Sequence, residues 1–159
     1  KKAKDMGLIT SLDTAWDATG QWFELLKDAL PYTDYFLPSI EEAKMITGQD
    51  TPENIAKFLM DRGVKNVGLK MGGDGSFIYN GKEKYRFPAL DFDVVDTTGC
   101  GEAYGAGFIT GIVKGFSFEK CGMLANLVGA KAATAIGATA GIVSYEDTLE
   151  FGKKYGYEF

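Results

Sequence analysis

Apolar and polar positions follow two rhythms along this chain. Short apolar or β-branched runs, the length of a buried strand, stand at residues 7–13, 35–37, 66–71, 76–79, 85–87 and 92–95. Between them apolar residues recur at helical spacing. Residues 16–30 carry Trp22, Phe23, Leu25, Leu26 and Leu30, with Pro31 closing the segment. A second helix is predicted to open at Ser39 and stop at Gly48, with Ser39 and Glu42 as a capping-box pair. A third begins with Thr51 as N-cap and Pro52 in the first turn and ends at Gly63. Asn80-Gly81 marks a hairpin between 76–79 and 85–87. The helix starting near Gly99 is apolar on nearly all sides (Ala103, Ala106, Phe108, Ile109, Ile112, Val113), which predicts cover on both faces. The next, about 118–136 and capped by Ser117, is rich in small residues from Ala125 to Ala135. These would admit another helix or a flat ligand. A last helix is predicted over 145–154.

Strands alternating with helices predict an α/β layered fold with a mainly parallel sheet and one local β-hairpin. In such sheets ligands bind beyond the carboxyl ends of the strands. Asp13 and the turns after Met71 and after Val95 lie at such ends.

Bulk properties narrow the function. The chain has 159 residues, 45% of them apolar, which suits one domain, 1–159, with a sizeable core. Its 17 basic and 22 acidic residues give a net charge of −5 without a basic block, which argues against a nucleic-acid partner. No apolar run approaches the roughly 20 residues of a membrane span, and no signal peptide is recognisable. Two cysteines, Cys100 and Cys121, suggest no disulfide framework, so a reducing cytoplasm fits best. Without histidine, neither a Ser-His triad nor a His-ligated zinc site can form. The opening Lys1-Lys2-Ala3-Lys4 leads almost at once into a strand, as the middle of a longer chain would.

The chemistry concentrates in Asp96-Thr97-Thr98-Gly99-Cys100-Gly101-Glu102, which follows the run 92–95 and leads into a helix. Glycines let the backbone turn tightly and let a ligand approach. First-turn amides lack internal partners and carry partial positive charge. Together these can hold an anion, most often a phosphate. The alternative is a plain strand-to-helix turn with an acid favouring the helix dipole.

The run Asp-Thr-Thr-Gly-x-Gly-acid-Ala-aromatic-x-Ala-Gly-Phe closely resembles the second signature of ribokinase-like (pfkB-type) carbohydrate kinases, usually Asp-Thr-x-Gly-Ala-Gly-Asp. The resemblance extends from Asp13 to about Tyr145 and matches the C-terminal half of such an enzyme. It implies a ribokinase-like three-layer α/β/α sandwich, the nucleotide-binding and catalytic part, without the N-terminal lid and most of the sugar site. It implies an ATP-dependent kinase passing the γ-phosphoryl group to a hydroxyl of a small sugar or nucleoside. This stretch alone would be inactive. Mg2+ and a monovalent cation such as K+ are the implied ions, and a homodimer is an implied assembly.

By the same resemblance, Gly99, Cys100 and Gly101 form the anion hole and Glu102 is the base that activates the hydroxyl. The family base is usually aspartate. Glutamate sets its carboxylate about 1.5 Å further out, which leaves open a nucleotide-binding pseudokinase or regulatory protein without turnover. Asp96 resembles a monovalent-cation ligand, or it caps loop amides. Ser39-x-x-Glu42 aligns with Asn-x-x-Glu, whose glutamate orients magnesium-bound water, although the capping box also accounts for both residues. Thr97 and the glycines of 70–75, Gly72 and Gly75 above all, are implied nucleotide neighbours, against a plain tight turn. Asn126, Ala130 and Gly137 match the region flanking adenine, and Gly141 removes a side-chain cation ligand that the family pattern carries as serine.

Overall fold

Three of the expected strands are neighbours in the computed structural model, which describes residues 1–159. β1 (Ser11–Leu12) pairs in parallel with β2 (Tyr35–Phe36), Ser11 opposite Tyr35. β2 pairs in parallel with β3 (Asn66–Lys70), Tyr35 opposite Asn66. β4 (Ser76–Tyr79) and β5 (Lys84–Phe87) complete a five-stranded sheet in the order β1-β2-β3-β4-β5. The chain resolves into two compact units, Lys1–Met71 with Phe77–Tyr85, and Gly72–Ser76 with Arg86–Phe159. No helix is long and apolar enough to cross a membrane.

The first unit holds helices α1 (Lys2–Asp5), α2 (Phe23–Leu26), α3 (Ile40–Thr47) and α4 (Pro52–Met60). Both predicted starts form as read. The Ser39 hydroxyl accepts from the Glu42 amide at 3.3 Å, while Glu42 Oε2 accepts from the Ser39 amide at 3.0 Å. The Thr51 hydroxyl accepts from the Asn54 amide at 3.3 Å. Gly48, left-handed at φ 67°, ends α3. The apolar faces of α3 and α4 close over β2 and β3, burying Phe36, Ala43, Ile55, Ala56, Leu59 and Leu69 completely.

The predicted helix over 16–30 does not form. Only Phe23–Leu26 is α-helical, followed by a 3-10 turn at Leu30–Tyr32 that contains Pro31. The reason is local competition for backbone donors. Asp17 accepts from the amides of Thr19 and Trp22 and from the Thr19 hydroxyl, winding the chain into a loop. Trp22 takes a positive φ of 38° there and packs edge-on against Trp16, ring centroids 4.9 Å apart. The first strand is also shorter than expected, with α1 preceding it. The hairpin turn is wider than Asn80-Gly81 alone: Asn80 Oδ1 accepts from the amides of Lys82 and Glu83, closing a loop that spans Asn80 to Glu83.

The second unit is built on α5 (Cys100–Val113), α6 (Phe118–Ala132) and α7 (Tyr145–Lys153). α5 and α6 touch through their backbones. A Cβ on Gly107 would stand 2.9 Å from Ala125 Cα, and one on Gly111 would stand 3.0 Å from Cys121 Cα. Ala125 and Gly129 of α6 therefore serve helix packing. Two expectations fail here. α5 is not covered on both faces: Ala103, Tyr104, Gly107, Phe108 and Gly111 are buried, whereas Ile109 is 45% and Val113 82% exposed. Residues 92–95 form no strand and join no ladder of the sheet. The end of α6 holds this segment instead, the Val95 amide donating to Ala133 O at 2.9 Å.

Candidate active site

Gly99 is the N-cap of α5 at φ 81°. A Cβ there would lie 2.4 Å from Ala138 O and 2.8 Å from Ala138 Cα, so the loop after α6 rests directly on this glycine. Positive φ and close approach together admit only glycine. The Cys100 amide donates to Thr97 O at 3.2 Å, and the Ala103 amide donates to Gly99 O at 2.9 Å, which closes the first turn. The amides of Gly101 and Glu102, second and third in the helix, have no acceptor in the chain. Cys100, expected to donate to an anion, has its amide engaged, so the open donors fall on its two successors. At this end of a 14-residue helix they carry the positive pole of the dipole.

Asp96 ties the motif to the loop after α6. Its Oδ1 accepts from the Thr98 amide at 2.9 Å and its Oδ2 from the Gly137 amide at 2.8 Å. The Thr98 amide first, then the Gly137 amide, hold this carboxyl below its ordinary value. Loop capping is thus present, and each oxygen keeps a lone pair that a cation could use. Thr97 is exposed in the same turn. The Glu102 side chain is exposed and makes no hydrogen bond or ion pair. Burial, then the charges of Asp96 and Glu102, push the Cys100 thiol up, which disfavours the reactive thiolate.

Other expected site residues have structural duties. Gly75 is buried, its amide donates to Gly72 O at 3.0 Å, and a Cβ would fall 1.9 Å from Phe87 O. Gly72, at φ 56°, is exposed in a 3-10 turn with open space around it. Asn126 is buried and fully occupied as a donor. Its Nδ2 donates to Pro88 O at 2.9 Å and to the Tyr157 hydroxyl at 3.2 Å, and its Oδ1 accepts from Ser76 Oγ at 3.0 Å. Ala130 is half-buried on α6, one residue past Gly129, whose missing side chain lets Cys100 O approach. Gly137 is left-handed at φ 92°, with its amide on Asp96 and open space where a Cβ would stand. Gly141 has a tertiary reason to be glycine, since a Cβ would stand 2.4 Å from Ala132 O.

Glu42 belongs to the first unit, in a polar group at the carboxyl ends of β1 and β3. Its Oε2 accepts from the Ser39 amide and from the Thr14 hydroxyl, each at 3.0 Å. Lys70 donates to both oxygens of Asp13, at 2.8 and 2.6 Å. Burial nevertheless raises the Asp13 carboxyl, the charge of Glu42 adding to the effect and Lys70 opposing it. Thr14 carries no motif that would have singled it out. Asp13 was legible as a strand-end residue, but its pairing with Lys70 depends on the parallel register. No group of three or more Asp, Glu, Cys or His side chains gathers anywhere to chelate a metal.

A model of the pfkB family of carbohydrate kinases matches residues 2–144. The chain belongs to that family. An ATP-dependent 6-phosphofructokinase of Thermoanaerobacterium thermosaccharolyticum is 39% identical to this pfkB chain over 123 residues, 77% of the chain and 38% of the relative. The structure of a ribokinase from Thermotoga maritima superposes with a TM-score of 0.80 at 27% identity, over 95% of the chain and 51% of the ribokinase. Arabidopsis thaliana ribokinase complexed with ribose and ATP gives a TM-score of 0.82 at 26% identity, over 93% and 48%. The fold is therefore the ribokinase-like α/β fold, and the chain spans about two fifths to half of the length of the relatives it matches.

Proposed function

We propose that this pfkB chain is the nucleotide-binding and phosphoryl-transfer half of an ATP-dependent kinase acting on a small sugar or nucleoside. The observation that carries the reading is the start of α5: two amides without acceptors beside an exposed carboxylate, on a turn that only glycine at 99 can make. The amides of Gly101 and Glu102 receive the oxygens of the transferred phosphoryl group. Glu102 takes the proton of the acceptor hydroxyl as its oxygen bonds to the γ-phosphorus. The bond from that phosphorus to the β–γ bridging oxygen breaks, and ADP leaves. Such a reaction asks the protein for alignment and charge neutralisation more than covalent chemistry.

Magnesium would neutralise the phosphates. Mg2+ keeps several waters and takes few protein ligands, so the absence of a chelating cluster suits it, and Glu42 would meet it through water. Asp96 would hold a monovalent cation. Gly72, Thr97, Ala130 and Gly137 are offered as nucleotide neighbours. Gly75 and Asn126 act through the fold. A cytoplasmic location and a homodimer complete the reading.

Glu102 in the place of aspartate favours a second reading, a nucleotide-binding protein without turnover. In the full-length protein, Glu102→Gln should lower phosphoryl transfer by about 100-fold or more, the usual contribution of a positioned base. Nucleotide affinity should stay unchanged. Wild-type protein that binds ATP without transferring phosphate to any sugar or nucleoside supports the second reading. A turnover rate untouched by the substitution refutes Glu102 as the base.

A further inference from the structure

Glu42 is held by more than its own helix. One of its oxygens, Oε2, accepts from two donors on different segments, the Ser39 amide at the start of α3 and the Thr14 hydroxyl just past β1. The other, Oε1, accepts from none. The Ser39 hydroxyl is an acceptor here, taking the Glu42 amide at 3.3 Å. Thr14 in turn projects from a fixed backbone. Its amide donates to Asp13 Oδ1 at 2.8 Å, and both Asp13 oxygens accept from Lys70 at the end of β3. A bridge between Ser39 and Lys70 brings the segment after β2 to the same place.

We propose that Thr14 is a positioning residue for Glu42. Its hydroxyl fixes Oε2, so Oε1 points in one direction as an acceptor for water carried by a divalent cation. The Lys70–Asp13 pair anchors the backbone from which Thr14 reaches. A lone glutamate anchored by one amide would keep rotamer freedom that has to be lost when the hydrated cation binds. The second donor removes that freedom in advance. This inference rests on the proposal of a magnesium–nucleotide kinase and adds to it the residue that aims its water-orienting carboxylate.

Thr14→Val keeps the shape and removes the donor, whereas Thr14→Ser keeps the donor. ATP affinity of the full-length protein is measured by calorimetry over a Mg2+ series, with Glu42→Gln as reference. Thr14→Val should raise the Mg2+ concentration for half-maximal gain in affinity by about tenfold, as loss of outer-shell partners does, and Thr14→Ser by less than about twofold. Affinity measured without metal should not change. A normal magnesium dependence in Thr14→Val while Glu42→Gln is shifted overturns the positioning role and leaves the kinase reading intact. So does an equal loss of metal-free affinity, which marks a general structural role. Wild-type ATP affinity indifferent to Mg2+ overturns both.

Discussion

Replacing Gly99 by alanine tests the geometry of the candidate site most directly. Alanine at φ 81° bears a left-handed strain of about 1–2 kcal/mol. Its methyl would also stand 2.4 Å from Ala138 O and 2.9 Å from Ala138 C, main-chain atoms that cannot rotate aside. Over-packing of this kind adds about 1–3 kcal/mol. The loss should therefore be on the order of 2–5 kcal/mol, with the loop after α6 displaced from the start of α5. Two controls separate the contributions. Gly137→Ala meets positive φ in open space and should show the strain alone. Gly105→Ala, inside α5 with no atom within 4 Å and no positive φ, should stabilise by about 1 kcal/mol through helix propensity. Urea denaturation of the three variants gives the ranking, and ATP titration shows whether affinity falls with the displaced loop. Gly99→Ala as stable as Gly137→Ala would refute the contact with Ala138. Unchanged ATP affinity in a destabilised Gly99→Ala protein would refute the link between this turn and the nucleotide.

The remaining predictions concern charge and packing. Asp34 lies between Lys4, Lys65 and Thr10. Burial raises its carboxyl, but the bonds from Lys4, Thr10 and Lys65 outweigh this and hold it well below the ordinary 3.8. Its stabilising contribution is fully present above about pH 4 and is lost as pH falls through the lowered folded value, so Asp34→Asn should cost stability at pH 7 and flatten the acid limb of a stability–pH curve. An unchanged acid limb would assign acid unfolding to other carboxylates. The Tyr104 hydroxyl is buried without a hydrogen-bond partner, the neighbouring Ser76 hydroxyl donating to Asn126 instead. Tyr104→Phe should accordingly be neutral or stabilising by about 1 kcal/mol in thermal melts, and a loss larger than that would reveal a partner for the hydroxyl. Gly141→Ser, which restores the serine of the family pattern, should destabilise the second unit because its Cβ would crowd Ala132 O and Lys131 O at 2.4 and 2.7 Å. A stable variant would show that the loop yields.

The sequence by itself determined what depends on near neighbours in the chain. The capping box at Ser39 and Glu42, the starts at Thr51 and Ser117, the glycine stop at 48 and the alternation of strand and helix all rest on groups a few residues apart. The helix start at Gly99 was legible for the same reason, since a glycine turn ahead of a helix is a contiguous feature. Tertiary structure decided whatever needed a distant partner. Residues 92–95 have the composition of a strand but are held by the end of α6, the Val95 amide donating to Ala133 O. Gly75, Gly107, Gly111 and Gly141 are glycine because another backbone occupies the side-chain space, a fact absent from their local sequence. The convergence of Ser76, Pro88 and Tyr157 on Asn126 has no trace in its local sequence either. The hold of Thr14 on Glu42 likewise exists only because parallel strands deliver their carboxyl ends to one place.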